Sequence, residues 1–317
     1  MLLSLRQRLV SLLHSDLLTP QARLSLQSAL LFLLVSLSSF IALGAAWLCL
    51  RVGFGMSDPT AFLSSISSQV GNIPALLVVQ ALVSSIGTFL LPTLLFHWLF
   101  FRPFFTTTGL QKGTTLPALL VALLLIFSTG IFIQLLVALN TAVVLPASLA
   151  FLREGQGTAD TIINALFNKH SVTRFVALTI VVAVMPAICE EVFFRGTLQR
   201  LLIESQLGVA GSILLSGLAF SVMHLEFNNF LAIWWMGIIL GCIYFLTNSL
   251  WASIAAHFLN NFLMVAGKMA YESGLVKADI AGEGQVPFIG LLAAGIVMCI
   301  LLWWLHKIRR NPFTSNS

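Results

Sequence analysis

Residues 174–198 read RFVALTIVVAVMPAICEEVFFRGTL, an apolar run interrupted by Pro186 and by two adjacent carboxylates, Glu190 and Glu191. A helix that crosses a bilayer needs about 20 mostly apolar residues, and the stretch from Phe175 to Cys189 carries no charge. As a helix, this segment sets Glu191 and Arg195 at i, i+4 on one face, with the acid on the N-terminal side, the better orientation for an intrahelical pair. Glu190 is turned about 100° from Glu191 around the helix axis and is free to face a cavity. Pro186, four residues ahead of Glu190, removes a backbone hydrogen bond and can kink or open the helix just before the acid. An ionisable group at membrane depth costs about 2.5–3.5 kcal/mol even on lenient insertion scales, so two neighbours need a reason.

The surrounding chain has the same character. Of its 317 residues, 58% are hydrophobic and 9% charged, and mean hydropathy is +0.99, which excludes an ordinary soluble domain. Apolar runs separated by short polar breaks predict about eight spans, at 28–50, 74–98, 116–139, 174–198, 208–225, 230–247, 249–270 and 287–306. The expected fold is all-α, a polytopic transmembrane helix bundle. Its expected parts are an amphipathic N-terminal segment over 1–27, broken near Pro20, and three spans with an outer interfacial loop over 28–173. A four-span core over 174–270 and a last span with a basic tail over 271–317 follow. No small-residue cleavage pattern follows Arg6, Arg8 and Arg23, so the first 27 residues are not read as a removable signal peptide.

Lys and Arg favour cytoplasmic loops. With the N-terminus inside, ten of the 16 basic residues fall on the inner side, and acids largely match the six outer ones. Both termini are therefore expected to be cytoplasmic, in a multi-pass protein of the plasma (inner) membrane. The pI near 9.3 then reflects topology and anionic lipid, with no nucleic-acid partner. Cys49, Cys189, Cys242 and Cys299 lie singly in apolar runs and read as small buried hydrophobes.

Two further spans carry ionisable groups. The fifth ends in Phe220-Ser221-Val222-Met223-His224, and a hairpin turning near Leu207 and Gly208 would bring His224 level with Glu190. The seventh sets His257 and Asn261 at i, i+4 on one face, with Asn260 the less favoured partner. His97, near a helix end, reads as a satisfied boundary residue. Taken singly, each group has an ordinary explanation as a helix end or an interhelical hydrogen bond.

In combination, Glu190-Glu191-x-x-x-Arg195, Phe220-x-x-x-His224 and His257-x-x-x-Asn261 resemble the three motifs of the CAAX prenyl endopeptidase and bacteriocin-immunity family of glutamate-type intramembrane proteases. The resemblance covers about residues 174–270, and the first three spans match none of its motifs. It implies that Glu190 is the catalytic acid, that His224 binds water, and that His257 and Asn261 are the second histidine and the asparagine of the site. Glu191 and Arg195 complete the first motif in a structural role.

Hydrolysis of a peptide bond requires a water, a base to activate it and donors for the oxyanion, which these residue types can supply. The expected reaction is endopeptidase cleavage of a membrane-associated protein or peptide, without a cofactor. Zinc held by Glu190, His224 and His257 is the alternative. All four Asp lie outside the spans and no His-Glu-x-x-His occurs, which removes the paired-aspartate and helical zinc-protease types. Ser216 or Ser221 with His257 lacks a fuller nucleophile motif. Outside proteolysis, a proton-coupled transporter relaying through Glu and His, or a non-catalytic immunity protein that binds a partner, uses the same buried groups.

Overall fold

In the computed structural model, the described residues are 18–64, 72–100, 103–143, 171–205, 207–276 and 287–308, with positions 7, 11, 146, 148, 164, 166 and 167 besides. Among them, seven helices are long and apolar enough to cross a membrane: α1 (Gln21–Gly53), α2 (Ile73–Leu99), α3 (Leu116–Thr141), α4 (Val172–Ile203), α6 (Phe227–Thr247), α7 (Leu250–Glu272) and α8 (Phe288–Ile308). Between α4 and α6 lies a shorter apolar helix, α5 (Gly208–His224). The chain is an integral multi-pass membrane protein built as a helix bundle, and each expected span coincides with one of these helices.

The clearest difference lies at the start. Helix formation begins at Pro20, not near residue 28, because Thr19 caps the helix by accepting a hydrogen bond from the Ala22 amide and Pro20 occupies the first turn, where its missing N–H is no loss. The break expected near Pro20 falls at residues 18 and 19, and Pro20 opens the helix that follows. The rest of the expected N-terminal amphipathic segment, most of the outer interfacial loop that follows the third span, and the tail beyond residue 308 lie outside the described residues.

Two spans contain an internal proline, and each has a π-helical run just ahead of it: Gln80–Leu90 before Pro92 in α2, and Thr179–Val184 before Pro186 in α4. Proline lacks the N–H for the α-helical ladder and crowds the carbonyl four residues back, and the wider π register relieves both. A second π-helical run, Phe194–Gln199, follows the acidic pair. The expected opening of the helix ahead of Glu190 therefore takes the form of a register change.

Close packing fixes the second half. A Cβ on Gly237 of α6 would stand 2.8 Å from the Cα of Gly217 on α5, so these helices touch backbone to backbone. One turn along, the Gly241 carbonyl accepts from Gln199 Nε2 at 3.0 Å. Helix α3 joins this half to the rest: Val121, Ala122, Leu125 and Ile126 pack in one core cluster with Ile239 and Leu240 of α6, Ala252 and Ala256 of α7, and Met298 of α8. A second cluster holds Phe89 and Phe96 of α2 against Phe193 and Phe194 of α4 and Phe220 of α5.

Candidate active site

Three helices bring the ionisable residues together. Helix α4 carries Glu190 and Glu191 into the protein, with Glu191 fully buried. Helix α5 turns back from α4 at Gly208, whose φ of +68° suits glycine, and ends at His224. Helix α7 contributes His257, one turn ahead of Asn261.

Their geometry converges on one oxygen. Glu190 Oε2 lies 3.8 Å from His224 Nε2 and 3.9 Å from His257 Nε2. It is buried, and among the described residues no hydrogen-bond donor reaches it. The hairpin at Gly208 does set Glu190 and His224 at one depth.

The far nitrogen of each imidazole is already engaged. His224 Nδ1 lies 2.7 Å from the Phe220 carbonyl, and His257 Nδ1 lies 2.9 Å from Glu191 Oε1. A carbonyl and a carboxylate only accept, so each Nδ1 carries the proton, and in a neutral ring each Nε2 presents a lone pair toward Glu190. The Phe220 ring lies beside both imidazoles, with centroids 4.4 Å from His224 and 5.8 Å from His257.

Glu191 anchors this arrangement. Its carboxylate pairs with Arg195 at 2.6 Å, accepts from His257, and accepts from the Ser253 hydroxyl on α7. Arg195, itself fully buried, donates to the Gly237 carbonyl at 2.9 Å and lies over the Phe220 ring at 4.7 Å. The i, i+4 pair expected within α4 is thus the centre of a network that also reaches α5, α6 and α7. The links from Glu191 to His257 and Ser253 were missed in the sequence, since only the i, i+4 spacing to Arg195 can be read along one helix.

Asn261 sits one turn beyond His257 on the same face of α7. Its Oδ1 accepts from Asn260 Nδ2 at 3.1 Å, a bond in which its own amide nitrogen takes no part. Ser216 and Ser221 spend their buried hydroxyls on the carbonyls of Phe194 and Phe230. His97 is buried between the hydroxyls of Thr197, at 3.0 Å, and Thr107, at 2.9 Å. Among the described residues no three His, Cys, Asp or Glu form a group that could hold a metal ion.

Residues 172–263 match the model of the family described as type II CAAX prenyl endopeptidase Rce1-like. This segment is similar to an Rce1-like domain. It begins with α4, ends within α7, and contains all six expected motif residues: Glu190, Glu191, Arg195, His224, His257 and Asn261. The Rce1-like family is a protease family, so peptidase activity is attached to the domain at the level of the family. No curated protein and no solved structure matches the chain.

Proposed function

We propose that the protein is an intramembrane endopeptidase in which Glu190 activates a water for attack on a peptide bond of a membrane-associated protein or peptide. The observation that carries this reading is the buried, undonated Oε2 of Glu190 facing two imidazole nitrogens at 3.8 and 3.9 Å. A water lodged among these three atoms can donate one proton to Glu190 and the other to the lone pair of His224, which leaves its own lone pair for the scissile carbonyl. Glu190 then returns the proton to the leaving amine.

The oxyanion needs donors. Asn261 supplies an amide N–H, and His257 supplies one from Nε2 where it reacts as the imidazolium, with a proton that it holds before the water is split and keeps afterwards. Glu191 and Ser253 hold His257 in place for that task, and Arg195 balances the charge of Glu191. No metal or cofactor enters this mechanism.

The family description makes a peptide ending in a prenylated CAAX sequence the first probe to try. Full-length protein in liposomes is expected to cleave a farnesylated CAAX peptide between residues, with the products identified by mass spectrometry. Loss of one oxyanion donor typically lowers the rate by about 10²–10³, and Asn261→Ala is expected to fall in that range. If His224→Ala and Asn261→Ala both cleaved at the unsubstituted rate, the assignment would fail. Proton-coupled uptake lost in those variants would point to transport.

A further inference from the structure

The site has a support outside the Rce1-like domain. Between His224 and Phe230, where the α-helical part of α6 begins, the chain makes a tight reversal: Leu225 has a left-handed φ of 54°, and residues 227–229 form a single 3-10 turn. Backbone groups at such a reversal within an apolar bundle must find partners there.

Two of them are met by one side chain. Asn140, the penultimate residue of α3, donates from Nδ2 to the Phe227 carbonyl at 2.6 Å and accepts at Oδ1 from the Leu231 amide at 3.2 Å. Leu231 stands in the first turn of the α-helical part of α6, which starts at Phe230, where amides lack partners within the helix, so Asn140 serves as an N-cap supplied by another helix. Its residue is only 4% exposed. From the other side, the Ser221 hydroxyl donates to the Phe230 carbonyl at 2.7 Å.

We propose that Asn140 is a positioning residue of the active site: it pins the 225–231 reversal and thereby holds the end of α5 where His224 faces Glu190. The inference rests on the reading of Glu190 and His224 as the water-activating pair. It also gives the first half of the chain a part in the chemistry, through a residue that sequence alone assigns to the start of a polar loop.

Two measurements on the full-length protein in liposomes test it. The first is hydrogen exchange of the 225–231 segment by mass spectrometry, a readout that does not depend on catalysis. Asn140→Ala is expected to speed exchange at the Leu231 amide by at least tenfold. Asn140→Asp keeps the acceptor for Leu231 but loses the donor to Phe227, and is expected to fall between Asn140→Ala and the unsubstituted chain. The second is cleavage of the farnesylated CAAX peptide.

Misplacing a reacting group by about 1 Å can cost about a hundredfold in rate, and Asn140→Ala is expected to lower kcat by about tenfold or more with KM little changed. Ser128→Ala, which removes a bond from α3 to the Ala294 carbonyl on α8, serves as the control for general loosening of α3 and is expected to leave kcat and exchange at 225–231 unchanged. Unchanged exchange in both Asn140 variants would overturn the proposal, as would a kcat loss in Ser128→Ala equal to that in Asn140→Ala. If the Asn140 variants expose the segment while Glu190→Gln still cleaves the peptide, the failure lies in the assignment of Glu190 and not in the clamp.

Discussion

Replacing Glu191 by leucine removes the carboxylate paired with the fully buried Arg195. In the native protein Arg195 is held by Glu191 at 2.6 Å, by the Gly237 carbonyl at 2.9 Å and by the face of Phe220. The guanidinium cannot shed its proton, so Glu191→Leu leaves an uncompensated charge in an apolar bundle, at a cost of about 3–5 kcal/mol. Adding Arg195→Met removes that charge as well. The loss it adds is the Gly237 carbonyl without its donor, worth about 1–3 kcal/mol, while the bonds of His257 and Ser253 to Glu191 are lost in both variants, so the double variant should be more stable than the single one.

Activity should follow a different course. In both variants His257 Nδ1 loses its acceptor, the ring is no longer fixed, and cleavage should stay at least about tenfold down, since orientation alone accounts for rate factors of this size. Unfolding of the purified protein in detergent micelles, followed by SDS titration, would give the two stabilities, and the peptide assay the two rates. A Glu191→Leu variant at least as stable as the double variant would refute the assignment of a buried, charged pair. Full activity in the double variant would refute the role given to Glu191 in orienting His257.

Other perturbations probe separate parts of the molecule. Gly237→Ala places a methyl group 2.8 Å from the Gly217 Cα, and because backbone on both sides must move, a loss of about 1–3 kcal/mol in the same unfolding assay is expected. Cleavage should persist in the presence of a zinc chelator; inhibition that added zinc reverses would favour the metal mechanism. For the sidedness of the bundle, a cysteine in place of Ser57 should react with an impermeant maleimide on intact cells and one in place of the exposed Lys112 should not, in a background without native cysteines. The opposite pattern would invert the topology.

Much of the bundle is legible in the sequence because lipid demands long uninterrupted apolar helices. The expected third span, 116–139, is α3 to within two residues. The first span was placed too late because Gln21, Arg23 and Gln27 read as polar flank, yet Gln27 is buried within the bundle and Thr19 caps the helix ahead of it. Glu190 stood out because a carboxylate at membrane depth is costly, and His224 and His257 because their helices are otherwise apolar.

What the sequence could not display are contacts between helices far apart along the chain. The bond from Glu191 to His257 joins residues 66 apart, and the bond from Asn140 to the Leu231 amide joins residues 91 apart. No periodicity encodes either. The π-helical runs before Pro92 and Pro186 were legible only as points where a proline must disturb the ladder, since the direction of the disturbance depends on the neighbouring helices.

The most direct test of Glu190 as the base is Glu190→Gln, assayed for cleavage of the farnesylated CAAX peptide beside an unfolding measurement on the same preparation. No donor among the described residues reaches Oε2, so the amide breaks no hydrogen bond there and the fold should keep its stability. The expected result is a loss of cleavage of about 10²-fold or more, in line with removal of a general base, at unchanged stability. Cleavage at the unsubstituted rate by a folded Glu190→Gln protein would contradict the proposed mechanism.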